Sequence, residues 1–221
     1  MRHELKFMVQ TQDMPYLMEW MILKQCFQVK YPDRTVSSIY FDTLQLNAAA
    51  ENLSGLSKRQ KHRIRWYIDG QNLYGGRYEV KYKIASLGSK VIKDCLIPPE
   101  NLFPARANDV VQMVLKDKKA HEIGDFTSLV PTLLVKYSRS YYGAFGDIRL
   151  TIDKNVKFHN FLQDKESSLN ASFLEYLIVE IKFPPDKQDY IAQCIADFPF
   201  RQIRTSKYVL GLSKFGYVNY I

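Results

Sequence analysis

Cysteine is scarce and unpatterned in this chain. Cys26, Cys95 and Cys194 are its three cysteines, and no CxxC or Cys/His spacing among them builds a zinc site or a disulfide frame. Their odd number excludes a fully paired framework and fits a reducing, cytoplasmic setting. Also missing is any apolar run near the roughly 20 residues that a membrane-spanning helix needs. The sequence enters a charged segment at once, without the apolar stretch of a signal peptide. No Ser/Gly-rich linker, charge block or internal repeat divides it, so a single domain over 1–221 is expected. The four histidines (His3, His62, His121 and His159) form no ligand spacing, and RRM and KH signatures are absent, so no nucleic-acid partner is expected. Acidic residues are outnumbered, 23 against 31 Lys and Arg, and the resulting net charge of +8 calls for an anionic partner.

What is abundant is aromatic side chains, 15 Tyr and 13 Phe, which favour strands. Several short segments carry charge on every second residue: Arg2-His3-Glu4-Leu5-Lys6-Phe7, Lys61-His62-Arg63-Ile64-Arg65-Trp66, Glu79-Val80-Lys81-Tyr82-Lys83, Arg149-Leu150-Thr151-Ile152-Asp153 and Glu180-Ile181-Lys182. A strand turns successive side chains to opposite faces, so each segment has one charged face and one apolar face. The patterning predicts strands over about 2–10, Val36–Asp42, Val91–Leu96, Leu133–Tyr142, Ile148–Asp153 and Leu174–Phe183. Lys58–Ile68 and Arg77–Ile84 read as a hairpin around a turn rich in Gly and Asn at Gly70–Gly76. Helices are expected from Asp13 as cap to about Phe27, over Leu44–Asn52, from Asn108 to about Ala120, and over Asp186–Phe198. Ser206–Lys214 forms a last helix or turn. Many strands in hairpin order with few helices give an α+β protein built on an antiparallel sheet or barrel.

The charged face has two readings. It is either the wet side of an ordinary half-buried sheet or the wall of a charged lumen inside a closed barrel. Two cations about 8 Å apart at an effective dielectric of about 20 repel by roughly 2 kcal/mol. A face collecting Lys6, Arg63, Arg65, Lys81, Arg139, Arg149 and Lys182 contains many such pairs, and Glu4, Glu79 and Glu180 offset only part of the cost. Occupation by a polyanion relieves the rest.

Taken in order, these pieces resemble the VTC domain, the polyphosphate polymerase domain of the vacuolar transporter chaperone complex, in the triphosphate tunnel metalloenzyme superfamily. The matching pieces are Arg2-x-Glu4-x-Lys6, Ser38-Ile39-Tyr40-Phe41-Asp42-Thr43, Lys61-x-Arg63-x-Arg65-Trp66-Tyr67, Glu79-x-Lys81, Tyr137-x-Arg139, Arg149-x-Thr151-x-Asp153, Glu180-x-Lys182 and Ser206-Lys207. The resemblance implies an antiparallel eight-stranded β-barrel tunnel with flanking helices. It implies transfer of the γ-phosphoryl group of ATP onto a polyphosphate chain, with Mn²⁺ or Mg²⁺. By motif position the phosphate binders are Lys6, Arg63, Arg65, Lys81, Arg139, Arg149, Lys182 and Lys207, with Arg63, Arg65, Lys182 and Lys207 holding the nucleotide phosphates. Glu180 is the implied metal ligand. Glu4 and Glu79 either add metal contacts or hold neighbouring cations upright. Two other outcomes stay open: a triphosphatase of the same fold acting on triphosphate or nucleoside triphosphate, and a module that binds polyphosphate or nucleotide without turnover. Arg2 stands where the hydrolase branch has the first Glu of its ExExK strand, which weighs against the hydrolase.

Tyr40, Phe41, Trp66 and Tyr67 read as core aromatics rather than a base-stacking surface. His62 alternates away from the basic face and reads as structural, and Asp153 is expected to orient Arg149.

Overall fold

The computed structural model describes residues 2–70, 72–84, 87–163 and 171–220. In chain order it begins with β1 (His3–Gln10), α1 (Met14–Lys24), β2 (Gln28–Asp42) and α2 (Asn47–Leu53). Then follow β3 (Lys58–Asp69), β4 (Asn72–Ile84) and β5 (Leu87–Asp94). Three helices come next, α3 (Pro99–Leu102), α4 (Ala107–Lys116) and α5 (Lys118–His121). The last strands are β6 (Val130–Ala144), β7 (Ile148–Asn160), β8 (Ala171–Phe173) and β9 (Tyr176–Phe183), followed by α6 (Gln188–Cys194) and α7 (Lys207–Lys214).

The strands form one nine-stranded antiparallel sheet in the order β1-β9-β7-β6-β2-β3-β4-β5, with the short β8 paired to β7 off that path. The eight strands of that path and the flanking helices are those the resemblance implies. By internal contacts the chain divides into two compact units, each made of three segments.

The first unit comprises Met1–Thr35, Tyr137–Val156 and Leu174–Thr205. Here β1 pairs with β9, and β9 with β7, so Glu4, Lys182 and Arg149 fall in one cross-strand row and Lys6, Glu180 and Thr151 in the next. The alternate residues, among them Phe7, Val9, Leu150, Ile152, Val179 and Ile181, turn to the other face and pack with Leu17, Trp20 and Met21 of α1 and Ile191 of α6. Burying each such side chain stabilises the fold by about 1.5–3 kcal/mol. That is what fixes the register: a slip of one residue would put these apolar groups on the charged side. The β6–β7 hairpin turns on Gly146 (φ 73°) and Asp147 (φ 64°), two consecutive left-handed residues of the kind a tight right-twisting hairpin requires.

The second unit comprises Val36–Lys136, Lys157–Phe173 and Ser206–Ile221. Its core joins Ile39 and Phe41 of β2, Ile64 and Trp66 of β3, and Tyr78 and Val80 of β4 to Val110 and Val114 of α4. Trp66 and Phe41 are therefore core aromatics, as their alternation predicts. Asp42 caps α2: its carboxylate accepts from the backbone N–H groups of Thr43, Ala48 and Ala49, and from the Tyr208 hydroxyl at 2.7 Å. On α7, a Cβ at Gly211 would lie 2.4 Å from a Leu133 methyl and 2.6 Å from the Phe158 ring. Gly211→Ala is therefore expected to cost about 1–3 kcal/mol by overpacking, despite alanine's better helix propensity, and a urea titration reads it directly.

The structure moves several boundaries. β2 starts eight residues before the expected Val36: Gln28–Thr35 is largely exposed and interrupted by Pro32, which hides it from the sequence pattern. The helix expected from Asn108 to Ala120 breaks at Asp117, which accepts from Lys119 N to cap α5 and also from Tyr78 Oη and Leu96 N. β7 runs on past Asp153 through Asn155, whose φ of 53° is one that Asn tolerates better than most residues. Asp13 does not cap α1 through its side chain and instead closes a 3₁₀ turn over Thr11–Asp13. Most of the anticipated Gly70–Gly76 turn belongs to β4, which begins at Asn72. No helix among the described residues is long and apolar enough to cross a membrane.

Candidate functional site

On the charged face of the second unit, β3, β4 and β5 align three rows. Lys61 lies opposite Lys81 and Lys81 opposite Lys90; Arg63 faces Glu79; Arg65 faces Arg77. Like charges directly opposite destabilise a sheet, so the lysine row needs compensation. Part of it comes from Glu79, which is nearly fully buried. Its carboxylate takes a 2.6 Å hydrogen bond from Arg63 Nε, a further ion pair from Arg63 Nη2, and Lys90 Nζ at 3.2 Å. Burial works to raise its pKa. Arg63, Arg65 and Lys90 more than reverse that, and the carboxyl is brought down from the ordinary 4.5 to about 2.

β2 supplies the other contacts. Arg63 Nη1 donates to Tyr40 Oη at 3.1 Å, and Arg65 Nε donates to Ser38 Oγ at 2.9 Å. Both guanidinium groups are thus held in fixed orientations. Tyr40 stacks on Tyr208 with ring centres 5.0 Å apart. Burial pushes the Tyr40 phenol up, but Arg63 and Arg65 outweigh it and set its pKa near 8. The two arginines thus favour negative charge on this face. Lys61 Nζ donates to Ser206 Oγ at 2.9 Å, immediately before α7, where Lys207 occupies the first helical turn at the positive end of the helix dipole.

On the charged face of the first unit, Lys6 pairs with Glu4 at 2.6 Å and reaches the Thr205 carbonyl at 3.3 Å. Thr205 Oγ1 is the one buried side-chain oxygen or nitrogen among the described residues that has no hydrogen-bond partner. Lys182 lies between two carboxylates, ion-paired with Glu180 and 3.8 Å from Glu4. Burial and the Glu180 charge raise the Glu4 pKa, and Lys6 and Lys182 bring it below the ordinary value. Arg139 makes a bidentate pair with Asp153, at 2.5 and 2.8 Å, over the face of Tyr137. Arg149 is exposed at the end of the Glu4–Lys182 row.

The sequence-derived candidates therefore sort by unit. Lys6, Arg139, Arg149, Lys182, Glu4 and Glu180 gather on the face of the first, and Arg63, Arg65, Lys81, Lys207 and Glu79 belong to the second. Asp153 pairs with Arg139 rather than Arg149. Lys90 joins this face as well, and its alignment with Lys81 follows only from the β4–β5 register. Tyr40, expected in the core, shares with Ser38 the side of β2 that meets the arginines. Among the described residues no group of three His, Cys, Asp or Glu side chains converges as a metal site. Glu4 and Glu180 offer a pair of carboxylates, a donor set that suits a hard divalent cation whose remaining ligands are phosphate oxygens and water.

The VTC domain family model matches residues 1–215. The chain belongs to the VTC domain family. No curated protein matches it, whereas solved structures share its fold. The PH1819 protein of Pyrococcus horikoshii OT3 is 14% identical with a TM-score of 0.57, and the match covers 97% of this chain and 99% of that one. A putative adenylyl cyclase from Hippeastrum, described as having a dominant triphosphatase activity, is 15% identical with a TM-score of 0.58, over 97% of this chain and 96% of that one. A putative adenylate cyclase from Vibrio parahaemolyticus is 14% identical with a TM-score of 0.50, covering 95% and 97%. At these identities the likeness is one of fold. The VTC domain here has the triphosphate tunnel fold.

Proposed function

We propose that this VTC domain is an enzyme acting on triphosphates, and that it transfers the γ-phosphoryl group of ATP onto a growing polyphosphate chain. The observation that carries the reading is the fixing of Arg63 by Glu79 and Tyr40 beside the Lys61–Lys81–Lys90 row. Phosphoryl transfer asks little covalent chemistry of the protein. It asks for in-line positioning and neutralisation of charge on the transferred group. Arg63 and Arg65 would bring pre-oriented guanidinium charge to phosphate oxygens, and Lys61, Lys81 and Lys207 would add point charge. Lys6, Lys182, Arg149 and Arg139 do the same on the face of the first unit. Glu180 and Glu4 would hold a divalent cation, Mn²⁺ or Mg²⁺, which supplies neutralisation and orientation of phosphate oxygens when bound. Glu79 is committed to Arg63 and Lys90 and acts as the residue that orients them.

Incubation with ATP and Mn²⁺ should give polyphosphate that stains on a gel, and Arg63→Ala should lower its yield by about 100-fold or more. A triphosphatase is the second reading, favoured by the activity described for the Hippeastrum neighbour. Release of orthophosphate from tripolyphosphate without polymer selects it. The absence of both products overturns the enzymatic reading. Binding also has a thermodynamic signature. Tripolyphosphate at about 100 times its Kd should stabilise the fold by roughly 2.7 kcal/mol, and a melting temperature unmoved by millimolar tripolyphosphate would count against phosphate binding on these faces.

A further inference from the structure

The first unit carries a groove that phosphate chemistry does not use. Helix α1 is apolar nearly all round: Leu17, Trp20 and Met21 are buried, yet Tyr16, Ile22 and Leu23 are 65%, 69% and 74% exposed. A helix of this composition is normally covered on both sides. Tyr16 and Leu23 lie two helical turns apart on one stripe with Glu19 between them, so the outward stripe is apolar with a carboxylate at its centre. Beside it, α1 and the segment 197–200 enclose a groove of about 400 Å³, floored by Trp20 and Phe200 and edged by Asp13, Glu19 and Asp197.

The groove is preformed. Phe198 packs edge-on against both Phe7 and Trp20 at 4.6 Å, and against Phe200 at 5.3 Å. Trp20 Nε1 donates to Asp197 Oδ1 at 3.1 Å, and Lys24 holds Asp197 Oδ2 at 2.9 Å. Little ordering cost therefore remains for an occupant to meet. Its acidic edge stands out on a chain of net charge +8.

We propose that this groove is a docking site for a basic amphipathic segment of a partner protein. One or two aliphatic side chains would enter over Trp20 and Phe200, and Lys or Arg would reach Glu19 and Asp13. The size suits one or two such side chains. The exposed apolar stripe with a polar rim suits a helix laid along α1. The complementary charge selects a basic partner over an acidic one. The inference stands apart from the triphosphate reading, since it uses none of the same side chains.

The test uses a fluorescent helical peptide of Leu at amphipathic spacing with Lys elsewhere, compared with the same peptide carrying Glu for Lys. The Lys peptide should bind saturably by anisotropy and the Glu peptide should not. Leu23→Asp and Glu19→Lys should each weaken binding by about tenfold or more, with the melting temperature unchanged because both side chains are exposed. No saturable binding, equal binding of both peptides, or variants that bind like the parent would each overturn the proposal. Sedimentation gives a further check: self-association abolished by Leu23→Asp would assign the groove to a second copy of the chain and overturn the partner named here.

Discussion

Glu79→Ala is expected to lower stability by about 3–5 kcal/mol, the cost of removing one partner from a buried ion pair. Glu79 is almost fully buried, and its loss leaves Arg63, Arg65 and Lys90 on one face without the carboxylate that two of them contact directly. Chemical denaturation measures the loss, and a decrease below about 1 kcal/mol would mean that Glu79 does not hold this face together. The pH dependence carries the same information. The folded-state pKa lies below the ordinary 4.5, at about 2. The contribution is thus fully present above about pH 4.5 and is lost as pH falls through about 2, so the variant should lack that part of the acid transition. Added tripolyphosphate should rescue Glu79→Ala more than it stabilises the parent, because the ligand restores negative charge where the carboxylate was. If Glu79 were instead a metal ligand, the variant would show a raised Mn²⁺ requirement with little change in stability.

The alternation of charge was the legible part of both fold and site. Glu4 and Lys6, Arg63 and Arg65, and Glu180 and Lys182 each lie two residues apart on strands, and the structure places each pair on one face with core residues behind. Period-two patterning forces that result once one face is buried. Pairing partners were harder to read, because register is a property of two strands together. Lys90 joined the lysine row only through β5, whose first four residues, Leu87–Lys90, carry no apolar alternation in sequence. Asp153 shows the same limit. Two residues of one strand, Arg149 and Asp153, were expected to interact along it, whereas the carboxylate pairs with Arg139 of β6. The aromatic ring of Tyr40 by itself points to the core. The ring is indeed buried and stacked, but its hydroxyl faces Arg63. An amphipathic side chain belongs to two environments at once, and composition registers only one of them.

The Arg139–Asp153 pair separates structural cost from phosphate binding most sharply. Asp153 is fully buried and the Arg139 side chain 14% exposed, so Asp153→Ala leaves a guanidinium in a largely dry site and should cost about 3–5 kcal/mol. Replacing both residues, as Arg139→Met with Asp153→Leu, removes the uncompensated charge and fills the volume. That double variant is expected to recover most of the loss and to melt within a few degrees of the parent. Turnover of ATP or tripolyphosphate then decides what Arg139 does. Asp153 engages Nε and Nη2, so Nη1 is the nitrogen that would meet an oxyanion. If it does so during phosphoryl transfer, the stable double variant should lose about 100-fold or more in kcat, in line with removal of one charge-stabilising donor. Retention of parental kcat in the folded double variant would remove Arg139 from the phosphate-binding set and leave the pair as a fastening between β6 and β7. Because the readout is taken on a protein that keeps its stability, the two roles cannot be mistaken for one another.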